Sequence, residues 1–153
     1  MQPAVERYVA RLAEAGLEVD VREFSESTHT AGEAATAIGC PVAAIVKSLV
    51  FELDGEPLLV LASGAMRVDT QALGARLGGT ISKADAATVK AATGYSIGAV
   101  PPLGHENPLR TVLDETLLEL PIVWAAAGSA SAVFGIEPEA LAMLSGAEVV
   151  AVS

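Results

Sequence analysis

Two apolar, β-rich runs, residues 44–53 and 57–62, flank the dipeptide Asp54-Gly55. Asp-Gly readily supplies the two positive-φ positions of a tight hairpin turn, so the runs are predicted to pair antiparallel. Elsewhere, strands and short helices alternate without a regular βαβ rhythm. The expected fold is therefore α+β: a single compact domain over residues 1–153, with a mixed, barrel-like β-sheet and flanking short helices.

The remaining elements are read from periodicity and turn chemistry. Val5, Tyr8, Val9 and Leu12 recur at helical spacing, and Gly16 stops that helix. Residues 18–24 alternate as a strand with Val19 and Val21 on one face. Thr30 and Glu33 have capping-box spacing, which predicts a short helix to Ile38 ending at Gly39. Asp69 caps a helix through Leu77, and Ser82 and Asp85 bracket the start of another that ends at Gly94. A Gly- and Pro-rich stretch, residues 94–108, follows. Strands are expected at Val112-Leu113, 122–127 and 132–136, then a helix from Pro138 to Gly146 and a closing strand over 148–152.

Composition sets the outer limits. The chain has 153 residues, 52% of them hydrophobic, which is enough to build a core and excludes a disordered chain. Its formal charge of −10 argues against a broad basic face for nucleic acid. A single cysteine, Cys40, excludes an internal disulfide. The N-terminus lacks the basic start and apolar core of a signal peptide. The longest uncharged run, 120–136, contains Pro121 and Gly128 and falls short of the ~20 apolar residues of a spanning helix. A soluble, cytoplasmic protein with no membrane association is expected.

Lys47 is the most informative charge. It sits within Ile45-Val46-Lys47-Ser48-Leu49-Val50-Phe51, and alternation places it on the face of Ile45, Leu49 and Phe51. An ammonium aimed inward is costly, so such a lysine either snorkels to solvent or serves a ligand. Pattern alone favours snorkelling. Gly94-Tyr95-Ser96-Ile97-Gly98 matches a serine-hydrolase elbow, yet a helix is predicted before Ser96 and Pro101-Pro102 follow too soon for a helix after it. No histidine follows Asp114 either, so the elbow is rejected. The segment from Gly98 through Ala99 and Val100 to Pro102 reads instead as a stiffened loop whose backbone can approach a ligand, or as a plain surface loop.

His29, His105 and Cys40 are isolated, with no metal-ligand spacing, and no glycine pattern suits a nucleotide phosphate loop. No metal or cofactor is expected. Asp114 follows Val112-Leu113 and suits either a site carboxylate or a cap for residues 115–119.

Taken together, these segments resemble a known family. Thr28-His29-Thr30 with Ala34-Ala35, the Lys47 strand, the run from Gly94 to His105, Asp114, and Ala126-Ala127-Gly128 occur in its order. They are similar to the YbaK/ProX family of aminoacyl-tRNA deacylases, related to the editing insertion domain of bacterial prolyl-tRNA synthetases. The resemblance spans residues 5 to 150. It implies a trans-editing hydrolase that cleaves the ester of a mischarged tRNA without a metal or a protein nucleophile. Lys47 takes the family's activity-associated position, and Gly98 to Pro102 match its pocket-lining loop. His29, Gly98, Ala99, Val100, Pro102 and Asp114 are the substrate-binding candidates.

Two departures stand out. Many relatives carry a second glycine where this chain has Ala99, which bears on pocket size. The −10 charge requires either a local basic patch, with Arg67, Lys83 and Lys90 as candidates, or delivery of the transient aminoacylated tRNA by a synthetase. Hydrolysis of another small activated ester, and a non-catalytic aminoacyl- or nucleotide-binding module, are the alternatives. Neither the amino acid removed nor the oligomeric state follows from the sequence.

Overall fold

Asp54 (φ 50°) and Gly55 (φ 86°) both adopt left-handed backbone and close a two-residue hairpin between β2 (Val46–Leu53) and β3 (Glu56–Ser63). The Asp54 side chain accepts the Thr80 N–H at 3.0 Å, and its own N–H donates to the Thr80 carbonyl. Those bonds dock the turn beside a short strand, β4 (Ile81–Lys83), which pairs antiparallel with the end of β2. The computed structural model describes residues 1–24 and 30–153, so Thr28 and the candidate His29 lie outside the described residues.

Strand β3 is central, and Leu58 to Ala62 are fully buried on both of its faces. Its other edge pairs in parallel with β5 (Arg110–Asp114), which pairs in parallel with β8 (Glu148–Val150). The order of this mixed five-stranded sheet is β4-β2-β3-β5-β8. A second, antiparallel sheet has β7 (Ala132–Ile136) between β1 (Asp20–Glu23) and β6 (Val123–Ala126). Among the described residues the two sheets meet at a single bridge, Ile45 to Trp124. The expected mixed sheet is present as two sheets joined at one point rather than as a closed barrel.

The helices form where capping chemistry predicts. In α1 (Pro3–Glu14), proline occupies the first turn, and Val5, Tyr8 and Leu12 are buried along one stripe. In α2 (Ala31–Ile38), Thr30 Oγ1 accepts the Glu33 N–H and Gly39 ends the helix in the left-handed region. Asp69 caps α3 (Thr70–Leu77), Asp85 caps α4 (Ala86–Thr93), and α5 (Pro138–Ser145) ends at Gly146. Ser82 does not bracket α4; it lies in β4, paired with Glu52.

One core packs Tyr8, Leu12, Leu61, Leu113, Phe134 and Leu141 between the two sheets and their helices. A smaller one packs Leu58, Val60, Leu73, Val112 and Val152 on the opposite face of the large sheet. The site lies at the edge of the first core, where β2 and β6 separate beyond their bridge.

Candidate functional site

Beyond Ile45–Trp124, β2 and β6 diverge and enclose a cavity of about 460 Å³. That volume suits a small ligand. Its walls come from the edge of β2, Trp124 and Ala126 of β6 with Ala132 of β7, the turn at Ser129, Ile97, Gly98 and Val100 of the loop, Lys83, Ala84 and Val89 from β4 to α4, and Thr30 and Ala31 at the start of α2. Lys47 and Lys83 are its charged lining residues, and no carboxylate lines it among the described residues.

Lys47 pairs with Ala62 across the hairpin and shares a sheet face with Leu49 and Phe51, which pack on the smaller core. It is half-buried, and its ammonium donates to the Met66 carbonyl at 2.6 Å. Burial holds its pKa below the ordinary lysine value; the charge of Asp114 opposes that fall and Arg67 adds to it. The short loop carrying Met66 passes through a tight gap. A Cβ on Gly64 would come within 2.5 Å of the Val42 carbonyl oxygen, so only glycine fits there.

Ser48, the next residue, turns to the other face of β2. Its hydroxyl oxygen is shielded from solvent and has no hydrogen-bond partner among the described residues. Such a group costs about 1–3 kcal/mol.

The sequence candidates divide between wall and scaffold. Gly98 and Val100 line the cavity, and Gly98 has φ +88°, a conformation that favours glycine. Ala99 and Pro102 are not among its lining residues. The Ala99 N–H donates to the Ser96 carbonyl at 3.0 Å, which closes a turn and leaves no free donor there for a ligand carbonyl. Pro102 is buried under the loop.

Three contacts fix that loop from behind. The Tyr8 hydroxyl donates to the Leu103 carbonyl at 2.7 Å, and Arg11 donates to the Gly104 carbonyl at 2.9 Å. His105 Nε2 lies 2.8 Å from the Pro101 carbonyl, a contact that requires the proton on Nε2. Ser96, the elbow decoy, is exposed and no helix follows it.

Asp114 is fully buried and outside the cavity lining. One carboxylate oxygen accepts the Ser63 N–H at 3.0 Å; the other accepts the Thr116 N–H at 2.9 Å and the Thr116 hydroxyl at 2.8 Å. It caps the 3-10 turn Glu115–Glu119 and holds the end of β3, so its geometry matches the capping alternative. Its reach to the site is through its field on Lys47.

Sequence reasoning missed Trp124 and Ser48. Trp124, the chain's one tryptophan, packs over Gly135 with the Arg22 guanidinium 4.5 Å from its ring centroid. A strand over 122–127 is expected, but only the bridge to Ile45 turns Trp124 into a cavity wall. No cluster of three or more potential metal ligands occurs among the described residues, and no described helix is long and apolar enough to cross a membrane.

The family model of the aminoacyl-tRNA editing domain matches residues 25–144. This chain belongs to the aminoacyl-tRNA editing domain family. Within it, the chain is 31% identical over 129 residues to "Uncharacterized protein YwhH" of Bacillus subtilis, covering 84% of this chain and 82% of that protein. It is 34% identical over 82 residues to a proline–tRNA ligase of Desulfovibrio desulfuricans, covering 53% of this chain but only 14% of the ligase. A crystal structure named "a putative trans-editing enzyme for prolyl tRNA synthetase" superposes with a TM-score of 0.94 at 41% identity, over 100% of this chain and 98% of that one. In this editing domain the matched region takes in the whole lysine-bearing strand and every wall of the cavity.

Proposed function

We propose that this protein is a trans-editing deacylase that hydrolyses the ester joining a wrong amino acid to the terminal adenosine of a tRNA. The observation that carries the reading is Lys47, a half-buried cation on the wall of a mostly apolar cavity in an editing domain. An aminoacyl ester is already activated, so orientation and charge stabilisation supply much of the acceleration required.

In the proposed reaction, water attacks the ester carbonyl and gives up a proton as the new C–O bond forms. The bond to the ribose oxygen breaks, and that oxygen leaves with a proton. No covalent intermediate on the protein is invoked. Lys47 holds a phosphate or ribose oxygen of the terminal adenosine. The apolar walls receive the amino-acid side chain, and Gly98 and Val100 bound it from the loop side.

The tRNA is a transient partner. Lys47, Lys83 and nearby Arg67 form the local basic group that offsets a formal charge of −10, with Lys90 on α4 as an outlying member. Binding of this kind is weak and steeply salt-dependent. The likeness to part of a proline–tRNA ligase supports a synthetase as the delivering partner, and the cytoplasm as the place of action.

The test is a deacylation panel. tRNAs charged separately with cysteine, alanine, serine and proline are incubated with the protein and with Lys47→Ala. Rapid, Lys47-dependent loss of one charged species is the expected result. Ligand-induced thermal stabilisation with no ester lost would point instead to a binding module.

A further inference from the structure

The cavity wall formed by β2 is an open strand edge. The Gly64 N–H donates to the Ile45 carbonyl at 2.7 Å, which turns the peptide groups of the odd-numbered β2 residues toward β3. The β2–β3 register runs unbroken from Val46–Ser63 to Leu53–Glu56. Antiparallel alternation therefore turns the N–H and C=O of Ser48 and Val50 to the opposite edge. On that side β4 pairs only with Phe51, Glu52 and Leu53, and the bridge to Trp124 is made at Ile45. Phe51 and Lys83 form a non-hydrogen-bonded pair, whose flanking bond sets the Val50 carbonyl on the Ala84 N–H. The Ser48 peptide is left with no strand partner among the described residues, and it borders the cavity. The unpartnered Ser48 hydroxyl lies on the same stretch.

An aminoacyl ester carries an α-ammonium group with three donors, and among the described residues no carboxylate lines this cavity to receive it. Lys47 and Lys83 repel it. Neutral oxygens must hold it, and the open edge supplies them. We propose that the substrate's α-ammonium is bound by the outward carbonyl of Ser48 and by the Ser48 hydroxyl, which rotates from its shielded position to meet it. This rests on the reading that an aminoacyl ester enters the cavity. It makes Ser48 a specificity residue: the site selects acyl groups with a free α-amino group and rejects their N-acylated or deaminated counterparts. Esters of peptides and of N-formylated amino acids are spared.

The experiment uses stable amide analogues, 3′-aminoacylamino-3′-deoxyadenosine and its deaminated and N-acetylated forms, titrated by calorimetry against wild type, Ser48→Ala and Ser48→Thr. Wild type should prefer the amino form by about tenfold or more, the scale of one hydrogen bond to a charged group. Ser48→Ala should lose most of that preference at an unchanged or higher melting temperature, and Ser48→Thr should keep it. Equal affinity of wild type for all three analogues, no binding of any, or full preference in Ser48→Ala would overturn the proposal. Hydrolysis of charged tRNA is scored separately. Turnover without an amino preference sinks this inference and leaves the deacylase reading standing; an amino preference without turnover does the reverse.

Discussion

Lys47 and Asp114 sense each other's charge without forming a contact ion pair. The lysine gives its ammonium to the Met66 carbonyl, while the aspartate places its oxygens on Ser63 and Thr116. The carboxylate favours the charged lysine through its field, and burial works against it. In a contact pair the carboxylate would occupy the ammonium's donors; here the Met66 carbonyl takes one, which leaves room for a ligand oxygen.

That relationship sets a pH dependence. The ammonium form is the one that holds substrate, and its pKa is below the ordinary 10.5. Activity should therefore fall with rising pH earlier than an unperturbed lysine would dictate. Asp114→Asn removes the interaction that raises this pKa, so the alkaline limb should move to still lower pH. A kcat/KM profile checks both statements. Lys47→Ala should lower kcat/KM by on the order of 10² or more at every pH while leaving the unfolding midpoint in place.

Asp114 is also a stability residue. Asp114→Ala strands the buried Ser63 N–H and the half-buried Thr116 N–H and should destabilise the fold by about 2–4 kcal/mol, measured by denaturant unfolding. Asp114→Asn keeps one carbonyl acceptor and should cost less. Equal stability of Asp114→Ala and wild type would remove the capping role.

Trp124 reports on the cavity. A Cβ at Gly135 would sit 3.1 Å from its ring, so Gly135→Ala should displace the indole by a few tenths of an ångström. The expected outcome is a loss of about 1–3 kcal/mol from overpacking. A shift in the emission of the chain's single tryptophan and weaker analogue binding should accompany it. Unchanged emission would show that the ring does not wall the site.

His105 should make stability pH-dependent. Burial lowers its pKa from the ordinary 6.5, the Pro101 carbonyl opposes that, and Arg11 adds to it. In the window between 6.5 and the depressed folded value, the unfolded chain binds more protons than the native one. Stability is therefore full above 6.5 and is lost as pH falls through that window. Melting temperatures from neutral to about pH 5 should show this slope, and His105→Gln should flatten it.

Local chemistry was legible in the sequence. Asp54-Gly55 names its own turn, Thr30, Asp69 and Asp85 name their helix starts, and the glycines that follow name the ends. Each depends on atoms within a few residues, and each is found where it was read. Lys47 could be singled out because strand alternation gave it an apolar face. Ser82 was misplaced because β4 has three residues, too few to show a period, and exists only by pairing with β2.

The site was decided by contacts distant in sequence. Ile45 meets Trp124 across 79 positions, and the parting of β2 and β6 beyond that bridge opens the cavity. The same geometry leaves the Ser48 hydroxyl without a partner among the described residues, commits the Ala99 N–H to Ser96, and withdraws Asp114 behind β3. A residue's type and neighbours fix its backbone preference and its chemistry. Whether its polar atoms are satisfied or left for a ligand depends on which strands arrive beside it, and only the assembled fold determines that.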